Sequence, residues 1–337
     1  MDIKQNFSLL HYNTFGIDAK CKMFIEYDTL QELKSLVREY DLKKQLYLHI
    51  GGGSNLLFIH DFEGLVLHSR IQGIEIVDNS DTFVLLRVGA GVNWDDFVSY
   101  CVSHNLYGAE NLSYIPGEVG AAPVQNVGAY GMEAKDIIHQ VEVVDAERGD
   151  EYIFNNSECD FGYRHSKFKT EWKNRYFVHH VIFKMQKQGT LKLEYGKIKE
   201  AMSTYPKINL QTVRQAIISI RKNKLPDPHN VGSAGSFFMN PIVSSSIFED
   251  LKSRYSDIPS YPASNGNVKI PAGWLIEQCG WKGKTYKRVG VYPQQALILY
   301  NCGGATGQEV EELSSVICKD VLERFGITIR PEVCFIM

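Results

Sequence analysis

The sequence of 337 residues lacks the features of several protein classes. Its seven cysteines are scattered, odd in number and without a Cys-x-x-Cys pair. They therefore indicate neither a disulfide framework nor a zinc cluster, and they favour a reducing compartment. No apolar run approaches the ~20 residues of a membrane helix, and residues 1–6 show no signal-peptide pattern. We expect a cytoplasmic protein that has no membrane partner.

Charge and histidine spacing argue against two further classes. Lysine and arginine number 36 against 39 aspartates and glutamates, a net charge of −3, so the chain has no general attraction to nucleic acid. The ten histidines form no His-x-x-x-His or His-Glu-x-x-His pattern. His179 and His180 are adjacent in a predicted strand, where neighbouring side chains point to opposite faces. We expect neither a nucleic-acid partner nor a metal.

Hydrophobic periodicity predicts helices and strands mixed without regular alternation. Helices are expected at residues 31–40, after an Asn93 cap, at 211–223, and at 308–325 with Gly326 as the stop. Strands are expected at residues 46–50, 65–67, 74–77, 83–88, within 141–185, and at 327–329. Pro226 and Pro228 end the third helix, and we place the main domain boundary there. The predicted fold class is α+β.

A glycine-rich loop, Gly51-Gly52-Gly53-Ser54-Asn55, directly follows a predicted strand. Bare main-chain amides in such a loop can surround an anion, because glycine permits positive φ and close approach. A tight turn between strands explains the pattern equally well. A Rossmann dinucleotide site is not indicated, since residues 56–59 read as a strand or turn where that motif opens a helix.

A second loop, residues 115–131, is rich in glycine and alanine. Its small side chains pack poorly but allow the main chain to lie against a flat ring and a pyrophosphate. Two such loops favour a large dinucleotide held by main-chain groups, and a single irregular crossover is the alternative. A phosphate-binding P-loop at Gly283-Lys284-Thr285 fails, because Gln278 stands where the motif needs a glycine.

Ser236 lies in a small-residue loop after Gly235 and before two phenylalanines. A hydroxyl in this position can donate a proton or act as a nucleophile, while a turn that leads into a buried strand is the simpler alternative. We expect Phe237 and Phe238 to keep water away from it.

Arg164 and Glu332 are two further polar candidates. Arg164 follows Phe-Gly-Tyr, and its planar guanidinium can donate two parallel hydrogen bonds to a carboxylate or phosphate. A surface arginine paired with a nearby acid is the alternative. Glu332 follows Pro331 near the C-terminus, and taken alone it reads as an exposed acid.

Ten segments form one pattern along nearly the whole chain. They are residues 13–16 (Asn-Thr-Phe-Gly), 51–57, 88–91 with Trp94, 115–117, 125–131, 161–164, 224–228, 235–238 with 240–241, 272–276 and 331–333. Together they resemble the UDP-N-acetylenolpyruvoylglucosamine reductases of bacterial peptidoglycan synthesis. The Leu-Glu-Tyr-Gly stretch that contains Tyr195 resembles the mobile loop of the longer class in that family.

The resemblance implies a two-lobed FAD-binding unit of the vanillyl-alcohol-oxidase (PCMH) type, about residues 16–190, and a separate α+β substrate domain. The domain limits would be residues 1–65 with the return of 327–337 for lobe 1, 66–225 for lobe 2, and 226–326 for the substrate domain. The implied reaction is the NADPH-dependent reduction of an enolpyruvyl ether to a lactyl ether on a UDP-sugar, with non-covalent FAD. We also expect a monomer.

The resemblance also implies roles for individual residues. Arg164, Ser236 and Glu332 would be catalytic, with Ser236 as the proton donor and the other two stabilising the enolate. FAD would be bound by Gly51, Gly52, Gly53, Ser54, Asn55, Pro116, Gly117, Gly120, Ala121, Ala122, Gln125, Asn126 and Gly128. The sugar nucleotide would be bound by Tyr195, Lys224, Asn240, Tyr261, Lys269 and Gln295. Gly52 and the Ala121-Ala122 pair depart from residues that are common in the family.

Two other functions fit parts of the pattern. A flavin oxidase of the same cofactor fold would react rapidly with oxygen and would leave the Ser236 and Glu332 segments unexplained. A UDP-sugar-binding module that has lost catalysis would lack one of the three catalytic residues, and all three are present. The reductase is therefore the favoured interpretation.

Overall fold

The computed structural model describes residues 1–227 and 230–337, so that Pro228 of the predicted helix stop lies outside the described residues. The chain forms two compact units. The first unit comprises residues 1–7, 21–52 and 63–223, and the second comprises residues 8–20, 53–62 and 224–337. The long segment of the second unit begins close to the predicted boundary at 226, while the division into three domains stays a prediction.

The strands and helices follow one another without a regular repeat. The strands are β1 (Asp2–Ser8), β2 (Lys20–Tyr27), β3 (Tyr47–Ile50), β4 (Leu56–Phe58), β5 (Phe62–Ser69), β6 (Ile74–Asn79), β7 (Phe83–Gly89), β8 (Gly128–Ala129), β9 (Met132–Glu133), β10 (Ile138–Asp145), β11 (Glu151–Asn155), β12 (Tyr176–Gln186), β13 (Ile242–Val243), β14 (Tyr261–Pro262), β15 (Val268–Lys269), β16 (Thr285–Tyr286), β17 (Val289–Val291), β18 (Leu299–Asn301) and β19 (Cys334–Ile336). The helices are α1 (Leu30–Glu39), α2 (Trp94–Ser103), α3 (Ala122–Gln125), α4 (Ile198–Met202), α5 (Leu210–Lys224), α6 (Ser245–Arg254), α7 (Ala272–Gln278) and α8 (Gly307–Phe325).

Two larger sheets organise the first unit. One has five strands in the order β11-β10-β12-β7-β6, all antiparallel. Its buried residues form one core with α2, whose Trp94 and Phe97 pack near Phe183 of β12. The other sheet has the order β1-β2-β5-β3, with β3 and β5 parallel. Helix α1 packs its buried face, including Leu33 and Leu36, into the core of this sheet.

The helix boundaries agree with the sequence signals. Asn93 caps α2 as predicted, because its side-chain oxygen accepts hydrogen bonds from the main-chain N–H groups of Asp95 and Asp96. Helix α8 ends at Gly326, which adopts a left-handed conformation with φ of 68°. These predictions are confirmed.

The strand β12 contains a bulge at its two adjacent histidines. Glu142 of β10 pairs with His180 and the next residue, Val143, pairs with Val178, so that His179 is the extra residue. The Nδ1 atoms of His179 and His180 lie only 2.7 Å apart. The expectation that these side chains point to opposite faces is therefore wrong, because it assumed an unbroken strand.

The second unit is built from short strands around α6, α7 and α8. Its sheets have the orders β13-β15-β14, β16-β17-β18 and β19-β4. The predicted strand at residues 327–329 is wrong: Ile327 and Ile329 are buried but unassigned to a strand, and the last strand is β19. Burial in the core therefore stabilises these two β-branched side chains, although the segment is not part of a sheet. No helix within residues 1–227 and 230–337 has the length and apolar character needed to cross a bilayer.

Candidate active site

The two glycine-rich loops meet in the first unit. A Cβ atom on Gly51 would lie 3.3 Å from Oε2 of Glu118 and 3.4 Å from Cβ of Ala121. A Cβ atom on Gly52 would lie 3.4 Å from Cα of Gly117. The loops therefore face each other across a narrow space that is bordered by the side chains of Glu118 and Ala121 and by the main chain of Gly117. Larger side chains at Gly51 or Gly52 would fill that space.

The side chains of the second loop mainly hold its own shape. Gly120 packs against Ala90, where a Cβ atom would lie only 2.7 Å from the alanine Cβ. Asn126 is left-handed, with φ of 49°, and fully buried. Its Nδ2 donates to Glu133 and to the carbonyl of Gly162, and its Oδ1 accepts from a main-chain amide. The amide of Asn126 therefore holds the loop together and is not free for a ligand.

Ala122 also belongs to the hydrophobic core, where it is 1% exposed. Since its methyl group is packed against protein, it presents little side-chain surface to a ligand. The neighbouring Ala121 is half-buried and faces the Gly51 loop. Of the two alanines in the predicted cofactor loop, Ala122 thus packs in the core, whereas Ala121 lies at the space between the loops.

Arg164 is positioned next to the second loop. Its Nη2 donates to the carbonyl of Gly128 at 3.0 Å. Its main chain has φ of 54° in a turn where Gly162 and His165 exchange main-chain hydrogen bonds. A left-handed arginine costs conformational energy, and such strain is concentrated at functional sites. The guanidinium is therefore anchored at one end and half-buried.

Gly53 and Asn55 continue the first loop within the second unit. Gly53 has φ of 62°, and a Cβ atom there would lie 2.0 Å from the carbonyl oxygen of Tyr12. Asn55 Nδ2 donates to the carbonyl of Glu332 at 3.3 Å, and the carbonyl of Asn55 accepts from the N–H of Cys334 at 2.9 Å. Asn55 thus supports the segment that carries Glu332.

Ser236 and Glu332 lie on neighbouring segments of the second unit. The N–H of Glu332 donates to the carbonyl of Phe237 at 2.7 Å. Phe238 and Pro331 form an isolated antiparallel bridge. Because Ser236 directly precedes this pairing, the structure brings two of the three predicted catalytic residues together.

The phenylalanines after Ser236 do not shield it from water. Phe237 and Phe238 are 0% and 1% exposed and lie in the core, where Phe237 packs near Phe15 and Phe335. Ser236 is itself exposed on its unit. The expectation of an aromatic water shield is wrong, because both rings are packed in the core while Ser236 stays exposed. The phenylalanines instead anchor the loop.

Four of the predicted substrate residues lie in two groups in the second unit. Lys269 occupies the central strand β15, where it pairs with Tyr261 of β14. Asn240 Oδ1 accepts from the N–H of Ala272 at the start of α7. Gln295 also approaches this helix, since a Cβ atom on Gly273 would lie 3.1 Å from its Oε1.

Tyr195 and Lys224 are the remaining two predicted substrate residues. Tyr195 is 43% exposed and packs edge-on against Tyr130 of the second loop, with ring centres 6.4 Å apart. Residues 130–131 and 190–195 line a cavity of about 510 Å³. Lys224 is the last residue of α5.

Comparison with known proteins decides the family. A model of the C-terminal domain of UDP-N-acetylenolpyruvoylglucosamine reductase matches residues 227–336, and a model of an FAD binding domain matches residues 21–152. The reductase of that name from Bacteroides fragilis is 50% identical over 334 residues, which are 99% of this chain and 100% of the relative. The Porphyromonas gingivalis reductase is 45% identical over the whole of both chains. This chain belongs to the UDP-N-acetylenolpyruvoylglucosamine reductase family.

A solved structure supports the fold. The crystal structure of the Thermus caldophilus UDP-N-acetylenolpyruvylglucosamine reductase aligns over 99% of both chains with a TM-score of 0.69, at 22% identity. The predicted α+β class, with an FAD-binding unit followed by a family-specific C-terminal domain, is confirmed. The facing loops around Gly51, Gly52 and Gly117 fit FAD, since bare amides and an absence of Cβ atoms suit a pyrophosphate.

Sequence reasoning missed a buried acid–imidazole network beside these loops. His68 of β5 lies 2.9 Å from Glu26 through Nδ1 and 3.0 Å from Glu118 through Nε2. Burial alone lowers the pKa of His68, but hydrogen bonds and charges from Glu118 and Glu26 outweigh it and raise the pKa above its ordinary value. Glu118 is therefore held between His68 and Gly51. These residues are 42 and 50 positions apart in sequence, so periodicity gave no signal for them.

Arg221 of α5 is a second residue that the sequence did not single out. Its Nε donates to the carbonyl of Tyr114, just before the second loop, and its side chain also bonds Tyr130. Burial lowers the pKa of this guanidinium. A buried positive charge that borders a loop of bare amides is suited to an anion. The signal in the sequence that could have indicated this residue was the basic Arg-Lys-Asn-Lys stretch at the end of α5.

Proposed function

We propose that this chain performs its family's reaction with Ser236 as the proton donor and with Arg164 and Glu332 as the residues that stabilise the intermediate. The reaction is the NADPH-dependent reduction of the enolpyruvyl ether of UDP-N-acetylglucosamine enolpyruvate, which yields UDP-N-acetylmuramate for peptidoglycan synthesis. The assignment of this reaction rests on the family membership. The pairing of the Ser236 and Glu332 segments is the observation that best supports the catalytic roles.

The chemistry requires both an acid and a positive charge. A hydride added to the terminal carbon of the enolpyruvyl group leaves negative charge on the carbon that bears the carboxylate. That charge spreads into the carboxylate as an enolate with an additional negative charge. A proton added to the same carbon completes the lactyl ether. Bound FAD would supply the hydride chemistry between NADPH and the substrate, which no side chain can provide.

Arg164 meets the need for positive charge. A guanidinium presents two parallel donors to a carboxylate or enolate. Here one nitrogen is already fixed to Gly128 and the main chain is held in a tight turn, so little reorganisation is required when charge develops. Preorganised donors of this kind typically contribute about 10²–10³ in rate.

Ser236 serves as the proton donor, and Glu332 on the neighbouring segment helps to stabilise the intermediate. Ser236 is exposed on its unit and is available to a substrate. The hydrogen bond from Glu332 N–H to Phe237 fixes the two segments, and Asn55 holds the carbonyl of Glu332. A positioned general acid typically contributes about 10²–10⁴ in rate.

Main-chain groups of both glycine-rich loops would hold FAD non-covalently, and Arg221 would add positive charge near the pyrophosphate. Tyr195, Lys224, Asn240, Tyr261, Lys269 and Gln295 would hold the sugar nucleotide, with the two lysines facing its diphosphate. Lys269 is supported by a three-stranded sheet and Asn240 by the start of α7. We also propose a cytoplasmic monomer and the three-domain division given above.

Separate timing of the two half-reactions tests the role of Ser236. In Ser236→Ala, flavin reduction by NADPH should proceed at the wild-type rate. Reoxidation by UDP-N-acetylglucosamine enolpyruvate should slow by about 10²–10⁴, because only this step needs the proton. Stopped-flow absorbance of the flavin measures both. Ser253→Ala, which removes an exposed hydroxyl on α6, is the matched control. Equal slowing of both half-reactions would contradict the proton-donor role.

A further inference from the structure

The bulge in β12 gathers one glutamate and two histidines, side-chain types that can ligate a metal, outside the proposed active-site residues. Glu142 of β10 faces His179 and His180 of β12. The Nδ1 atoms of the two histidines lie 2.7 Å apart, and they lie 3.9 Å and 3.8 Å from Oε2 of Glu142. The three atoms thus converge on one small volume.

The size of this triangle matches a bound ion. The point equidistant from three atoms with these separations lies about 2.1 Å from each of them, and tetrahedral binding requires the two Nδ1 atoms to move apart to roughly 3.4 Å. Zinc binds imidazole nitrogen and carboxylate oxygen at about 2.0–2.2 Å. We propose that Glu142, His179 and His180 bind a divalent cation of the zinc class, with two histidines and one carboxylate as its protein ligands.

The hydrogen-bond chemistry of the cluster supports a cation there. A neutral imidazole nitrogen either carries a proton or offers one lone pair. Nδ1 of His180 faces Nδ1 of His179 and also lies 3.0 Å from Nη2 of Arg87. Two donors cannot both be well accommodated by its single lone pair. A metal ion resolves the conflict, because both ring nitrogens then direct their lone pairs at the ion.

Arg87 is the competitor for this site. Its guanidinium donates to both oxygens of Glu142, with the shortest contact at 2.7 Å. A divalent cation displaces this positive charge, because both cannot occupy the same side of one carboxylate. Glu75 lies opposite Arg87 in the sheet, with Oε2 3.7 Å from Nη1. Glu75 therefore offers the displaced guanidinium another partner.

The cluster is accessible enough to solvent for an ion to enter. The side chains of Glu142 and His180 are 11% and 12% exposed, while that of His179 is 2% exposed. A water molecule can thus complete four-coordinate binding from the exposed side. The ion would join β10 to β12 at the point where the bulge interrupts their ladder, so its role is structural rather than catalytic.

Cobalt(II) absorbance tests the proposal on the FAD-loaded enzyme. Co²⁺ is the probe because tetrahedral nitrogen and oxygen ligation gives visible absorption to the red of the flavin bands. One equivalent should bind per chain, and Zn²⁺ should abolish the absorption by displacing it. His180→Gln and Glu142→Gln should each weaken binding at least tenfold. Arg87→Gln should tighten it, because the competing charge is removed. His104→Ala, an exposed histidine on another surface, should leave it unchanged.

Each result has a definite meaning. Loss of binding in His180→Gln with flavin absorbance and wild-type reductase activity retained supports the site, since the fold is then intact. Zn²⁺ should also raise the melting temperature of the wild type but not of His180→Gln. The proposal is overturned if wild-type enzyme shows no cobalt absorption, if His180→Gln binds as tightly as wild type, or if Arg87→Gln binds no more tightly.

Discussion

The proposed cofactor loops of the first unit and the proposed catalytic segments of the second are built in different ways. The loops around Gly51 and Gly117 offer main-chain groups to a ligand. The side chain of Asn126 forms hydrogen bonds that hold the second loop in shape. In the second unit, the exposed side chain of Ser236 and the half-buried side chain of Glu332 project from short paired segments. The glycine-rich loops are sensitive to added atoms where they touch other segments closely, at Gly120 in the first unit and at Gly53, where the first loop continues into the second unit. The proposed catalytic segments are sensitive to removed functional groups.

This difference determines whether a substitution affects the stability of the fold or the rate of the reaction. A Cβ atom added where two backbones touch must move main chain, which destabilises the protein. A hydroxyl or ammonium removed from an exposed position leaves the packing intact, so its loss appears in kinetics.

The largest effect is expected at Gly53. Alanine there would place Cβ 2.0 Å from the carbonyl oxygen of Tyr12 in a residue with φ of 62°. Because the obstacle is main chain, Gly53→Ala should lower the free energy of unfolding by about 3 kcal/mol or more and release FAD. Gly52→Ala is the matched control: its nearest contact is 3.4 Å, so its stability should change by less than about 1 kcal/mol. Thermal melts and bound-flavin absorbance measure both. If the two variants lost similar amounts of folding stability, the main-chain contact at Gly53 would not be the cause.

Arg164 should give the next largest effect, and only in the chemical step. Arg164→Gln keeps a planar side chain but removes the charge. Reoxidation of the reduced flavin by substrate should slow by about 10²–10³, while NADPH oxidation at the flavin is unchanged. Single-turnover kinetics measure this. Arg175→Gln, which removes an exposed arginine of the same unit, is the control. A rise in KM for substrate with an unchanged rate of reoxidation would argue against transition-state stabilisation.

A smaller effect is expected at Lys269. Lys269→Ala removes one positive charge from the centre of a three-stranded sheet and should raise KM for the sugar nucleotide about tenfold, or about 1.4 kcal/mol. The value of kcat should change little, since the diphosphate is remote from the reacting carbon. Lys252→Ala, on the exposed part of α6, should leave both constants unchanged. A fall in kcat that exceeds the rise in KM would contradict a binding role.

Local signals predicted much of the fold and part of the site. The cap at Asn93 and the stop at Gly326 are encoded by a few neighbouring residues, and both are confirmed. The two glycine-rich loops were predicted from their composition to serve one dinucleotide, while their facing geometry comes from the structure. The roles of the predicted site residues remain predictions.

Features that depend on distant parts of the chain were not readable. The bulge at His179 arises from the register between β10 and β12, which no local pattern specifies. Burial of Phe237 depends on Phe15, more than two hundred residues earlier. The meeting of His68 with Glu118 likewise requires two separate segments to pack.

The smallest effect concerns pH and the His68 network. Its raised pKa means that the interaction with Glu118 and Glu26 stabilises the fold fully below the unfolded value of about 6.5. This stabilisation is lost as the pH rises through the folded pKa. The melting temperature of wild type should therefore exceed that of His68→Gln by a margin that shrinks, by a few degrees at most, from about pH 5.5 to about pH 8.5.

His49 provides the contrasting case within the same unit. Burial, with a smaller contribution from the charge of His68, lowers the pKa of His49 to about 3. It is therefore neutral over the whole range, and its hydrogen bond with Tyr27 does not titrate there. The melting-temperature difference between wild type and His49→Gln should stay constant with pH. If both differences changed in parallel, the pH dependence would belong to other groups, and the charged network beside the cofactor loops would not distinguish this region from the rest of the unit.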